Sequence, residues 1–304
     1  MADQPLFSII IPFTGEQETL FTCLDAIYSN QSSISFETIV VQSGSTKILA
    51  KQLDKYGNLT LYYNQELLYP GKARNIGAEK SKSNILAFID SDCLTCENWI
   101  DIAYSSLQSD TQILVGSIIN ANFLLPLASV DNLLQFVDFQ KGRSSKSITH
   151  FPGTNFVIRK ALFDKIGGFP NHLKVGEDVI FSQQAIKLAE GKICFNKNLI
   201  VKHKGRNTWP EFKAHQKVFG YYRGLLNLKI ISPRILKKHD IIYSGYFALK
   251  RFIYIYFRTI QWNSKAILIL IIYSPIIVLG LFYWTIGFYN GIKSKDKNRH
   301  AASI

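Results

Sequence analysis

Apolar positions come in short blocks along the first two thirds of the chain, and the spacing within each block alternates between two periods. Residues 6–11 are a nearly continuous apolar run, as in a strand buried on both faces, and Pro12 ends it. Residues 16–28 then carry Leu20, Cys23, Leu24 and Ile27 at helical spacing. A second strand is predicted over 36–41, followed by Gln42-Ser43-Gly44-Ser45-Thr46, a turn run able to cap a helix over 47–56. A strand over 59–63, a helix over 71–81 and a strand over 85–89 complete the pattern. Strand and helix alternating at short spacing predict an α/β fold, with a mostly parallel central sheet flanked by helices.

Further on, the pattern predicts a helix over 98–107, a strand over 113–119 and a less regular stretch to residue 151. A strand over 154–158 and a helix over 160–166, stopped by Gly167-Gly168, come next. A longer helix over 177–189 stops at Gly191, and two short strands, 193–195 and 199–201, precede a helix over 209–226. No internal repeat or low-complexity tract is visible, and the first natural boundary lies near 227–233.

The last quarter reads differently. Residues 266–289 hold no charged side chain over 24 positions, enough at ~1.5 Å per residue to cross a hydrocarbon layer of about 30 Å. Trp262, Tyr283, Trp284 and Tyr289 lie toward its ends, where amphipathic rings favour the interface. Residues 241–257 are interrupted by Lys250 and Arg251 and read as an interfacial helix or half of a helical hairpin. The expected organisation is a catalytic domain over 1–228, a basic interfacial or first membrane helix over 229–265, a transmembrane helix over 266–290 and a basic tail over 291–304.

Charge sharpens this picture. The 304 residues carry 35 Lys and Arg against 22 Asp and Glu, a net +13 that favours polyanionic partners. Eight basic residues and one acid lie between Lys229 and Lys265, so much of the excess forms a collar beside the apolar stretch. A nucleic-acid partner is therefore not expected. The collar points to a membrane, with the large N-terminal part in the cytoplasm, and in a bacterial cell to the inner membrane. The basic tail competes with that orientation, and a hairpin returning both ends would remove the conflict. The run over 7–13 is too short and lacks the basic flank of a cleavable signal. Cys23, Cys93, Cys96 and Cys194 form no secreted disulfide framework, and Cys93-x-x-Cys96 has no second pair to complete a zinc site.

Asp90-Ser91-Asp92 closes the strand over 85–89. Residues two apart at a strand end project to one side, and two carboxylates meeting there suit a divalent cation, Mg²⁺ or Mn²⁺, shared with substrate phosphates. Ligands in parallel sheets bind beyond the carboxyl ends of strands, where these acids fall. Glu177-Asp178 opens a helix after Gly176, where carboxylates are stabilised by the dipole and an acid also serves as a cap.

Four segments, taken in order, resemble the family 2 glycosyltransferases of the GT-A fold: 8–14 (SIIIPFT), 39–46 (IVVQSGST), 70–92 with its Asp-Ser-Asp, and 153–178 with Gly153-Thr154-Asn155, Gly167-Gly168 and Glu177-Asp178. The resemblance spans roughly 7–224. It implies a nucleotide-sugar donor bound by Pro12, Phe13, Thr14, Gln42, Gly44, Arg74, Asp90, Ser91, Gly153, Thr154 and Asn155. Loops 12–14 and 42–45 would line the nucleobase, Arg74 would contact the nucleotide and Gly153 to Asn155 the donor sugar. Lys72 reads as solvated. The metal would be held by Asp92, with Asp90 at the ribose or the metal and His203 at the metal or diphosphate. The family pattern assigns the general base to Asp178, with Glu177 in support, and implies a single displacement that inverts the anomeric centre.

One departure stands out. Many relatives carry Asp-Asp where this chain has Gln42-Ser43, so an uncharged amide replaces the acid that meets the base. The expected protein is a membrane-anchored, metal-dependent, inverting glycosyltransferase acting on a glycan or lipid-linked acceptor. A non-catalytic relative that binds a nucleotide or partner is the alternative. A nucleotidyltransferase would show a Gly-rich basic loop after the first strand, and Pro12-Phe13-Thr14-Gly15 does not.

Overall fold

Phe7–Phe13 forms β1, and six of its seven residues are buried in the computed structural model, as the apolar run requires. The structure describes residues 4–44, 47, 48, 50–107, 110–143, 148–227, 233–262 and 267–301. β2 (Phe36–Ser43) and β4 (Ile85–Phe88) flank β1 in parallel, with Phe7 opposite Phe36 and Ser8 opposite Leu86. β3 (Leu59–Asn64) extends β2. Helices α1 (Gln17–Tyr28) and α2 (Pro70–Lys80) make the crossovers. Gly77 lets α2 lie against β1, since a Cβ there would sit 2.4 Å from Cγ2 of Ile10.

Antiparallel pairs enter in the second half of the sheet. β7 (Phe156–Arg159) runs against β4 on one side and against β6 (Ile113–Asn120) on the other. β5 (Cys93–Thr95) pairs antiparallel with β8 (Ile193–His203), giving the order β3-β2-β1-β4-β7-β6-β8-β5. The sheet is thus mixed: β1 to β4 pair in parallel, and β7 runs against both of its neighbours. α3 (Trp99–Ser106), α5 (Lys160–Ile166) and α6 (Glu177–Leu188) complete this part. α5 stops at Gly167, whose φ of +83° is the left-handed cap its position demands. Phe88, Phe156, Phe163, Phe169 and Phe181 form an aromatic core here, with the Phe169 and Phe181 rings stacked at 4.1 Å.

The chain divides into two compact units: residues up to Ile119 with Arg143–His203, and Asn120–Gly142 with Lys204 onward. The second unit is helical, made of α4 (Pro126–Phe136), α7 (Trp209–Asn227), α8 (Pro233–Trp262) and α9 (Ile267–Ala301). Leu127, Val130, Leu134, Phe212, Ile255, Leu270, Ile277 and Leu281 make its core. α7 and α9 touch backbone to backbone: a Cβ on Gly220 would lie 1.9 Å from the Trp284 carbonyl, and one on Gly291 2.0 Å from that of Tyr221. Asp131 of α4 is wholly buried, accepting hydrogen bonds from His215 Nδ1 at 2.7 Å, Gln216 Nε2 at 3.0 Å and the Arg206 amide at 3.2 Å.

Several expectations are corrected. Over 47–56 the described backbone forms only one turn of 3₁₀ helix, Ala50–Gln52. The irregular stretch before 151 contains α4, followed by a 3₁₀ turn over Val137–Phe139. The strands over 193–195 and 199–201 are one strand, β8. β5 was not predicted. The packing units do not follow a single cut near 228, since α4 packs with α7 and α9. Residues 228–232 of that boundary, Ser45 and Thr46 of the turn, and Lys229 and Lys265 of the collar lie outside the described residues. α9 continues past 290, and its segment Leu270–Ser294 is long and apolar enough to cross a bilayer, with 33% of its most apolar window buried.

Candidate active site

All of the catalytic candidates fall in the first unit. Beyond β4 the chain turns through Ile89-Asp90-Ser91-Asp92 before entering β5. Asp90 and Asp92 therefore share a direction because of this turn and not because of strand pleat. The Cys93 amide bonds back to the Asp90 carbonyl at 3.0 Å, and the Asp90 amide donates to Thr154 Oγ1 at 3.0 Å. Both acids line a cleft of about 550 Å³, solvent-open space included, together with Pro12, Phe13, Thr14, Arg74 and Ser91.

Arg74 is the organiser of the site. It sits on α2 with only 4% of its surface exposed. Nη2 donates to Asp90 Oδ1 at 2.7 Å and Nη1 to Glu177 Oε1 at 2.8 Å. Gly153 makes room for it, since a Cβ there would lie 2.7 Å from the guanidinium carbon. Burial pulls the Arg74 pKa down, but the Asp90 and Glu177 carboxylates outweigh it and hold the group charged. Nε is buried with no hydrogen-bond partner among the described residues.

Glu177 and Asp178 open α6 after Gly176, whose φ of +89° makes the turn into the helix. Asp178 Oδ2 accepts the Gly153 amide at 3.2 Å, which places it beside Arg74. Burial pushes Glu177 up to about 7, aided by repulsion from Asp178 and opposed by Arg74. Asp178 is only half-buried, yet desolvation is still the largest cause raising its carboxyl, against Arg74 and two backbone amides.

His203 reaches the site through the unpredicted strand. Pairing of β5 with β8 sets His203 opposite Cys93, the residue after Asp92, and brings Nε2 to 3.5 Å from Asp92 Oδ2. Burial pushes the Cys93 thiol well up, with Asp92 and Asp90 adding to it, as expected of an inert core cysteine. Among the described residues no group of three or more His, Cys, Asp or Glu side chains is gathered to hold a metal. Asp92 and His203 offer a facing oxygen and nitrogen, while Asp90 is engaged by Arg74. This donor set fits a cation completed by substrate oxygens, not one enclosed by protein.

Two expected donor contacts are different in the structure. Asn155, at φ +54°, is fully buried: Nδ2 donates to the Ser117 and Leu199 carbonyls and Oδ1 accepts from Trp99 Nε1, so it ties β6, β8 and α3 together and does not face the cleft. Gln42 is likewise buried, its Oε1 accepting the Ile48 amide at 3.1 Å. Gly44, at φ +65°, packs against Leu67, where a Cβ would approach within 2.9 Å. Thr154 holds the Asp90 turn, as above. Ser43, within the 42–45 loop expected there, does line the cleft, and Leu68, Pro70 and Ala73 line it without having been predicted. Pro70 lies four residues before Arg74, a spacing that puts the two on one face of α2.

Comparison with known proteins agrees with this geometry. Residues 8–167 match the glycosyl transferase family 2. The chain is 30% identical over 241 residues to glycosyltransferase AglE of Haloferax volcanii, covering 77% of each protein. It is 25% identical over 231 residues to glycosyltransferase GlyA of Streptococcus pneumoniae, covering 69% of this chain and 33% of that one. Among solved structures, S. aureus TarS 1-349 in complex with UDP-GlcNAc superposes with a TM-score of 0.51 at 17% identity, covering 96% of this chain and 92% of that one. The complex of the same fragment with UDP gives 0.51 at 16%. The chain belongs to glycosyl transferase family 2 and has its GT-A architecture.

Proposed function

We propose that the protein is a membrane-anchored, inverting glycosyltransferase that moves a sugar from a nucleoside diphosphate sugar to a hydroxyl of a glycan or lipid-linked glycan, at the cytoplasmic face of the inner membrane. The observation that carries it is the gathering of Asp90, Asp92, Arg74, Glu177 and Asp178 at the carboxyl end of β4. Membrane anchoring draws on the apolar segment Leu270–Ser294. A donor of the nucleotide-sugar class draws on the family and on TarS, which binds UDP and UDP-GlcNAc.

Transfer develops negative charge on the departing diphosphate. Asp92 and His203, with Asp90, would hold a divalent metal, Mn²⁺ or Mg²⁺, which supplies positive charge against that diphosphate when bound. Arg74 keeps Asp90 turned toward the cleft that it also lines and adds its own charge there. Asp178 takes the proton of the acceptor hydroxyl as its oxygen bonds to the anomeric carbon, and the carbon–diphosphate bond breaks with its electron pair leaving on the diphosphate. A carboxyl raised by burial is a better base once ionised. With no side-chain nucleophile assigned, the displacement is single and inverts the centre. Ser43, Phe13 and Leu68 form the nucleobase wall, because Gln42 is spent on Ile48.

Release of nucleoside diphosphate from a panel of nucleotide sugars, with Mn²⁺ or with EDTA, tests this directly. An active donor whose turnover collapses in Asp178→Asn is the expected result. Equal turnover in parent and variant would remove Asp178 as the base.

A further inference from the structure

α8 turns apolar residues to solvent as well as to the core. Its solvent side carries Ile242, Tyr246, Leu249, Ile253, Phe257 and Ile260, spaced by three and four residues, with Ile242 68% and Phe257 61% exposed. Its inward side carries Ile255 of the core and also Ser244 and Thr259, only 1% and 5% exposed, and Arg251, whose Nη2 donates to the Leu134 carbonyl at 2.8 Å. A water-facing helix carries polar residues on its outer side. The stripe runs about 27 Å at ~1.5 Å per residue.

α9 also turns an apolar stripe to solvent. Leu268, Ile271, Val278 and Phe282 are exposed, and the apolar exposure ends at Asn290 and Lys293. The two helices run antiparallel, with Phe247 against Phe288 and Tyr256 bonded to Ser274. α9 is closed along its second half by α7, where Gly220 and Gly224 meet the backbone of Trp284, Phe288 and Ile292, and Gly287 and Gly291 that of Lys217 and Tyr221. α7 itself exposes Glu211, Lys213 and Arg223. A charged helix in backbone contact with α9 over Trp284–Ile292 cannot enter hydrocarbon at low cost, so α9 is not free to cross the bilayer alone.

Cation–aromatic pairs bound the apolar face. Arg258 lies 4.8 Å from the Trp262 ring and 5.2 Å from that of Tyr254, at the α8 end. Lys213 and Lys217 flank Tyr283, and Lys293 covers Tyr289, toward the other. Such pairs suit the headgroup level of a membrane, and their sign suits acidic lipid.

Building on the proposal that the protein is membrane-anchored, we propose that α8 and α9 form a monotopic platform that lies in the plane of one leaflet, its apolar face in the acyl chains and its basic rim on acidic headgroups. The chain then does not cross the bilayer between α8 and the end of α9, and the active-site unit and both ends of the hairpin stay on one side.

The full-length protein in sealed membrane vesicles tests this with Gln261→Cys and Asn290→Cys, both exposed positions, probed by an impermeant maleimide and read as labelling above the parent. Labelling of both from the side that labels the native cysteines of the catalytic unit is expected. Labelling of either residue only from the opposite side overturns the platform while leaving membrane anchoring standing. In a second measurement, flotation of purified protein with phosphatidylcholine vesicles containing about 30% phosphatidylglycerol is expected to exceed flotation with phosphatidylcholine alone by at least about tenfold, and Leu249→Glu/Phe257→Glu to abolish the difference. Failure to float with either vesicle, with the protein instead a stable dimer that the double variant dissociates, would assign the face to a second copy and sink both the platform and the anchoring.

Discussion

Arg74 and Glu177, 103 positions apart, meet at 2.8 Å with side chains 5% and 7% exposed. Because Arg74 also holds Asp90, one guanidinium joins the metal-side turn to the helix that carries the proposed base. Removing it leaves Glu177 buried and unpaired beside Asp178. Arg74→Met is expected to cost about 3–5 kcal/mol in stability and to lower turnover at least about a hundredfold. Arg74→Lys should recover only part of either, since an ammonium cannot span two carboxylates in a planar fork. Urea unfolding and diphosphate release report the two effects separately.

Asp178→Asn keeps the shape of the side chain and removes the base. Turnover should fall about 10²–10⁴-fold while affinity for donor nucleotide changes little. Calorimetric titration with the nucleoside diphosphate separates the two, and a comparable loss of binding would make Asp178 a donor-site residue instead.

The pH dependence has a definite sign. Burial raises Glu177 to about 7 and raises Asp178 as well, so the folded state retains protons that the unfolded chain releases. This contribution is complete below the unfolded value of about 4.3 and fades as pH rises through the folded one. The melting temperature of the metal-free protein should therefore decline between about pH 5 and 8, and Glu177→Gln should flatten that decline. An unchanged slope in the variant would remove Glu177 as the group responsible.

In the helical unit Asp131 behaves oppositely. Burial raises its carboxyl, but His215 and Arg206 prevail and hold it below the usual range. Its stabilisation is present above the unfolded value and is lost as pH falls through the folded one. Asp131→Ala should cost about 2–4 kcal/mol by leaving buried donors unanswered, seen as a lower melting temperature at pH 7 and a smaller difference from the parent in acid.

The glycines of α7 and α9 can be told from ordinary ones. Gly220→Ala forces a Cβ to 1.9 Å from the Trp284 carbonyl and should destabilise by at least about 1–3 kcal/mol. Gly245→Ala on α8 meets nothing within 4 Å and should stabilise by roughly 0.5–1 kcal/mol. Equal effects in chemical unfolding would mean that the backbone contact between α7 and α9 does not exist in solution.

The sequence made β1, β2, β4, α5 and the Asp90 turn readable because each is a short apolar block ended by proline, glycine or acid. α4 was missed because Asp131 and Asn132 lie on its buried face and break the stripe of Leu127, Val130 and Leu134; only the partners on α7 and in the 204–208 loop make that burial tolerable. β8 was split in two because Asn196, Lys197 and Asn198 interrupt its apolar run, although the backbone pairing continues past them. β5 is three residues long, and its partner is 106 to 110 positions away, between Cys93 and His203 at one end and Thr95 and Val201 at the other. No local pattern reports such a pairing, and His203 could be assigned to the site from family likeness but not placed there. Family likeness put Asn155 in the donor-sugar loop, but three fixed partners turn its side chain inward.

Because α4 is inserted between β6 and β7 yet takes its hydrophobic cover from α7 and α9, the chain cannot be trimmed at its C-terminal end to yield a tidy soluble enzyme. Shortening it before Ile267 would uncover Leu127, Val130 and Leu134 in the middle of the polypeptide, and a sticky, poorly expressed fragment is the natural result of that surgery.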